Sequence, residues 1–263
     1  MVLARGLGTR MRAREEGTAL EPEQARVADA GLKAMIPVGR PFLDYLLSGL
    51  VDAGLGDVCL VIGPEHDAVR ARYGKGGTRA RVSFAIQEAP LGTADAVLAA
   101  ESFTAGEPFV VLNSDNYYPV EVLAALSELG EPGLPAFGRA ALLRDGAIAP
   151  ERIAGYALLD IGPDGYLRRI VEKPDERVLA EFGDDAYVSM NCWHFSAEIF
   201  QACRTVAPSA RGELELPLAV QHSIDAYGGR FRTFPVHAGV LDLSRRGDIP
   251  AVKERLREIE ARP

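Results

Sequence analysis

The residues Gly6-Leu7-Gly8-Thr9-Arg10-Met11 follow a short apolar run, Val2-Leu3-Ala4, and read as a strand passing into a glycine-rich turn. Glycines let the backbone approach a bound anion, and the N–H groups of such a turn can cradle phosphate oxygens. Arg10 adds a permanent charge whose planar shape suits phosphate. Met11 stands where a dinucleotide loop needs its third glycine, and no G-x-x-x-x-G-K-[ST] run occurs, so this is neither a Rossmann nor a Walker loop. Further residues with chemical capacity recur at the ends of apolar runs. Lys33 precedes the strand-like segment 34–38, Gln87 ends an apolar run before Pro90, Gly92 and Thr93, and Asp115 ends another. Glu172-Lys173-Pro174 and Asp242 close two more. An amide such as Gln87 both donates and accepts, and so suits a base edge. Taken singly, each has a plain alternative: a turn for the glycines, a helix cap for Asp115, a surface ion pair for Glu172 and Lys173.

The elements that position these groups alternate. Segments 58–63, 81–87 and 109–115 are short, apolar and β-rich, whereas 41–54, 64–73 and 93–103 have helical spacing or composition. That pattern predicts a Rossmann-like α/β fold, with a mostly parallel sheet flanked by helices and ligands beyond the carboxyl ends of its strands. Segments 156–161, 166–171 and 187–195 read as strands of a smaller antiparallel subregion, with a strand at 231–236 and helices at 213–227 and 249–261. No repeat or linker breaks residues 1–263, which predicts one domain. The polar stretch 12–30 suits either a helix or a mobile flap that orders over a bound ligand; we expect the flap.

Composition narrows the class. The chain is 48% hydrophobic with a net charge of −8, which argues against nucleic acid as the main partner. No apolar run approaches the ~18 residues of a membrane span, and the start lacks the apolar core of a secretory leader. The expected location is the cytoplasm. Three scattered cysteines and four histidines without metal spacing predict free thiols and structural imidazoles.

The ordered series G-x-G-T-R, LKAMIPV, QEAPLGTADAV, SDN, GYALLD, VEKP, MNCWHF and GVLDL resembles the sugar-1-phosphate nucleotidyltransferases over nearly the whole chain. The resemblance implies transfer of a nucleotidyl group from an NTP, UTP or dTTP favoured, to a sugar 1-phosphate. It implies Gly6, Gly8 and Thr9 around the nucleotide phosphates, Gln87, Gly92 and Thr93 near the base, and Arg10, Lys33 and Lys173 as catalytic cations. It implies Gly155, Glu172 and Asn191 at the sugar, and Asp115 and Asp242 as ligands of Mg²⁺. The implied partners are the NTP and the sugar phosphate, without nucleic acid or membrane; homo-oligomerisation stays open. A non-catalytic sensor of the same fold, or an enzyme acting on an alditol or cyclitol phosphate, is the alternative. Arg5 stands where the family commonly has a small residue, Leu32 where a proline usually precedes the lysine, and Val240 where an aromatic is expected.

Overall fold

The computed structural model describes all residues except Glu16, Ala147, Ala154, Lys173, Asp184 and Asp185, and the side chain of Pro150. The strands are β1 (Val2–Leu3), β2 (Asp57–Ile62), β3 (Arg81–Ile86), β4 (Phe109–Asn113), β5 (Asn116–Tyr117) and β6 (Gly133–Gly138). There follow β7 (Leu158–Ile161), β8 (Leu167–Val171), β9 (Tyr187–Val188), β10 (Cys192–Phe195), β11 (Arg232–Val236) and β12 (Leu241–Asp242). One large sheet runs β3-β2-β1-β4-β10-β6-β9-β7-β8, with β11 parallel to β6, and a small second sheet pairs β12 with β5. Strands β1 to β4 pair in parallel. Antiparallel pairings join β10 to β4 and β6, and β9 and β7 to the far edge. The antiparallel part is therefore the far end of the main sheet, and only β5 and β12 stand apart.

The inner strands are apolar on both faces because helices cover both. Val2, Leu60, Ile62 and Leu112 meet the helices Phe42–Asp52 and Val120–Ser127. Leu3, Cys59, Val61 and Val111 meet Thr93–Ala99, Ile199–Thr205 and Leu216–Tyr227. The three cysteines are free and buried, and Trp193 is fully buried, stacked on Phe195.

A third apolar cluster joins Met11, Val27, Ile36 and Phe42 to Leu243, Ile249 and Val252. It explains where segment 12–30 goes. Residues Pro22–Ala30 form a helix with Pro at its start, a capping box between Glu21 and Gln24, and Val27 and Ala28 buried. The buried Arg246 fastens this segment, donating to Met11 O at 2.9 Å and Arg12 O at 3.2 Å and pairing with Asp29. The helical alternative thus holds over 22–30, against the expected flap.

Other elements differ from expectation for identifiable reasons. The 187–195 segment is two strands, because Asn191 takes a left-handed turn (φ 53°) between them. Helix 93–103 breaks at Ala100, giving Thr93–Ala99 and Glu101–Thr104. Lys33–Met35 is a 3₁₀ turn, not the entry to a strand. The terminal helix is Asp248–Leu256. Strand β6 is hidden in the sequence by Gly133, Pro135 and Gly138, residues that ordinarily mark turns.

Candidate active site

Beyond the carboxyl ends of β1 to β4 lies a cleft of about 450 Å³. The glycine loop forms one wall. Gly8 has φ +61°, and a Cβ there would stand 2.3 Å from Gly31 O. Gly31 ends helix Pro22–Ala30, so the loop rests directly against the helix that Arg246 fastens. Thr9 and Arg10 begin the short helix Thr9–Arg12 and face the cleft; Arg10 makes no ion pair among the described residues.

The opposite wall is the turn after β3. The Gln87 side-chain amide donates to Gly92 O at 3.0 Å and to Asp95 Oδ2 at 2.7 Å. With both amide hydrogens engaged, the group Gln87 offers a ligand is its carbonyl oxygen. Gly92, at φ +120°, presses on Leu214, whose oxygen a Cβ would approach to 2.4 Å. Leu214 N–H donates to Leu91 O, Ala94 N–H to Leu214 O, and Leu216 N–H to the Thr93 hydroxyl at 2.8 Å. The Thr93 hydroxyl thus accepts a structural bond at the end of the connection between helices Ile199–Thr205 and Leu216–Tyr227, which also carries Arg211 and Glu213 into the cleft.

The charged centre sits at the end of β4. Lys33 and Asp115 form a half-buried ion pair lining the cleft. The β5–β12 ladder brings a second carboxylate near, because Leu243 N–H donates to Asp115 O at 2.8 Å and Asp242 pairs with Asn116. Asp242 is buried and accepts from Tyr156 Oη at 2.6 Å and Ser244 Oγ at 2.7 Å, with Arg152 against it. Burial first, then the charge of Asp115, raises its pKa above the ordinary carboxylate value. Arg152 is shared with Asp248 at 2.7 Å.

Two carboxylates that feel each other's charge, Asp115 lining the cleft and Asp242 buried behind it, are a hard-oxygen donor set at adjoining strand ends. That set fits a divalent ion whose other ligands come from phosphate and water. No group of three or more His, Cys, Asp or Glu side chains suited to a metal occurs among the described residues. Lys33 and Arg152 balance the two carboxylates in the protein alone.

The cleft brings together Gly6, Gly8, Thr9, Arg10, Lys33, Gln87, Gly92, Thr93 and Asp115. Asp242 stands behind it, linked through Ser244, which lines it. Gly155, Glu172 and Asn191 lie outside its walls, although Glu172 feels the charge of Arg211, which lines it. Lys173 lies outside the described residues. Sequence reasoning missed Arg152, Tyr156, Ser244, Arg211 and His66. Of these, only Tyr156 lay inside a quoted motif, GYALLD.

A family model for nucleotidyl transferases matches residues 25–230. A glucose-1-phosphate thymidylyltransferase of Streptomyces antibioticus is 28% identical over 235 residues, 86% of this chain and 57% of that protein. The chain therefore spans little more than half of that relative's length. A UTP–glucose-1-phosphate uridylyltransferase of Haloferax volcanii is 26% identical over 259 residues, covering 98% of this chain and 96% of that one. A UDP-glucose pyrophosphorylase solved with UDP-glucose superposes with a TM-score of 0.71 at 17% identity over 98% of both chains, a likeness of fold. Enzymes of this family generally use a divalent metal. On the family match, which spans most of its length, the chain belongs to the nucleotidyl transferase family.

Proposed function

We propose that the protein transfers a nucleotidyl group from an NTP, with UTP or dTTP favoured, to a sugar 1-phosphate, releasing pyrophosphate. The observation that carries this reading is the junction in one cleft of a glycine loop, an amide at the opposite wall and the Lys33–Asp115 pair backed by Asp242. The sugar phosphate's oxygen attacks the α-phosphorus in line; the bond to the bridging oxygen breaks, and pyrophosphate leaves. Such a reaction is mostly positioning and charge neutralisation, which suits a site built from cations and backbone groups.

In this reading Gly6, Gly8 and Thr9 hold the nucleotide phosphates and Arg10 stabilises the departing pyrophosphate. Lys33 neutralises charge at the reacting centre once its hold on Asp115 loosens, and Lys173 meets the phosphate of the sugar. Gln87 and the backbone at Gly92 read the base, while Gly155, Glu172 and Asn191 contact the sugar. Asp115 and Asp242 would hold the divalent ion, Mg²⁺, which supplies positive charge to the phosphates. Arg152 and Tyr156 orient Asp242 for that task. Residues 1–130 then serve mainly the nucleotide and 131–263 the sugar phosphate, in one catalytic domain working in the cytoplasm. No helix among the described residues is long and apolar enough to cross a membrane.

Pyrophosphate release from each NTP with Mg²⁺ and a panel of sugar 1-phosphates tests the proposal. Release should be detected with a pyrimidine nucleotide and fall at least a hundredfold in Asp115→Asn, which keeps shape but loses charge. Nucleotide binding without pyrophosphate from any pair would favour a sensor instead.

A further inference from the structure

We propose that Arg5 selects the base, donating a hydrogen bond from its guanidinium to a carbonyl oxygen of a pyrimidine dione, uracil or thymine. This rests on the cleft being the nucleotide site. Arg5 stands two residues past the end of β1 and lines the cleft, yet its side chain is only 8% exposed. Its Nη2 and Nε meet the Glu65 carboxylate at 3.3 and 3.4 Å. The remaining nitrogen, Nη1, is buried with no hydrogen-bond partner among the described residues. A buried N–H group without an acceptor is costly and rare, and in a ligand cleft it points to an acceptor the ligand brings.

Location separates base from phosphate. The strand order β3-β2-β1-β4 puts the Lys33–Asp115 pair on the β4 side of β1. Arg5 leans the other way, over Gly63 at the end of β2, its Nε within 2.4 Å of where a Gly63 Cβ would stand. On that side, Gln87 N–H is tied to Ile62 O. Glu65 also offsets the charge of Arg5, so the pair attracts a phosphate only weakly while Nη1 still offers its N–H donors to a neutral acceptor. Gln87 presents a carbonyl acceptor and Arg5 a donor. A uracil or thymine ring answers both, with an imide N–H flanked by two carbonyl oxygens. Adenine has no carbonyl oxygen.

The test is calorimetric binding of UTP, dTTP, GTP and ATP to the full chain with Mg²⁺ and without sugar phosphate. Wild type should prefer UTP and dTTP. Arg5→Ala should weaken them at least tenfold, as expected for a bond from a charged donor, and weaken ATP less than threefold. On wild type, 2-thio-UTP or 4-thio-UTP, in which sulfur replaces one carbonyl oxygen, should bind several-fold more weakly than UTP. That penalty should vanish in Arg5→Ala. Equal losses across all four nucleotides, a preference for GTP or ATP, or the absence of any thio penalty would overturn the assignment. If Arg5→Ala does not fold, the thio series is read on Arg5→Met, which keeps an extended side chain without a donor; a penalty that persists there overturns the assignment. Because binding is measured without turnover, a protein that shows this pattern but releases no pyrophosphate would refute the transfer reaction and leave Arg5 in place.

Discussion

Replacing Gly8 by alanine isolates what the close seating of the glycine loop is worth. The backbone there is left-handed, which costs a residue with a Cβ about 1–2 kcal/mol. The new methyl would also meet the Gly31 oxygen, Cα and carbonyl carbon at 2.3, 2.7 and 2.9 Å, all backbone atoms that cannot rotate away. Relief needs the loop and helix Pro22–Ala30 to separate by about 1 Å, at an overpacking cost of roughly 1–3 kcal/mol. The control is Gly54→Ala, also left-handed at φ +84° but with nothing within 4 Å. The control should lose only the backbone part, a Tm fall of about 2–8 °C at 2–4 °C per kcal/mol. Gly8→Ala should lose at least twice as much, or keep its Tm by letting the loop shift. In either case NTP affinity, measured by calorimetry, should drop at least tenfold, since a misplacement near 1 Å in such a site can cost about a hundredfold. Gly54→Ala should bind NTP like wild type. Matching stability and affinity in the two variants would refute the reasoning.

Three further outcomes follow from the same geometry. Gln87→Ala should compress the preference among NTPs by roughly the value of one hydrogen bond, ~1 kcal/mol; competition binding that shows unchanged preference would move base reading to the backbone near Gly92. Arg246→Ala frees Asp29 of helix Pro22–Ala30 and the Met11 and Arg12 carbonyls of the short helix beside it, so amide exchange at Val27 and Ala28, slow in the free wild type, should accelerate by an order of magnitude or more. Fast exchange in the wild type itself would restore the flap. His66 accepts from Gly63 N–H at 3.1 Å through Nδ1. Burial, opposed by Glu65 and aided by Arg5, Arg70 and Arg12, lowers its pKa below 6.5. The unfolded chain therefore takes up the proton first as pH falls. The contribution of His66 is whole above about 6.5 and is lost on acidification through the lowered value. Urea unfolding across pH 5–8 should show this slope in wild type and a flatter one in His66→Gln.

How much was legible in the chain depends on what kind of force shapes each part. Strands β2 and β4 follow from apolar runs, β3 from a β-rich run that Ser83 interrupts, and the glycine loop from residues that only a special backbone needs. The tertiary environment decided the rest. Asn191 turns where the sequence continues like a strand, and β6 forms through Gly133 and Pro135 because β11 supplies a parallel partner along its whole length. Ala100 interrupts a helix that composition alone would continue. Of the candidate site, the residues on strand ends of the first half converge on the cleft. Arg152 and Tyr156, which hold Asp242, were invisible because their role exists only through contacts with residues 86 or more positions away.

The β5–β12 ladder has a consequence for the order of events in folding. It joins Asn116 to Asp242 across nearly half the chain, so it closes only when most of the chain is in place. The glycine loop, Gln87 and Asp115 all lie before residue 120 and emerge early in synthesis. The second carboxylate arrives only when the last segment docks, bringing Ser244 and Arg246 with it. On the proposed function, a growing chain thus holds the glycine loop and Gln87 well before it holds the second carboxylate, and docking of the last segment completes the site.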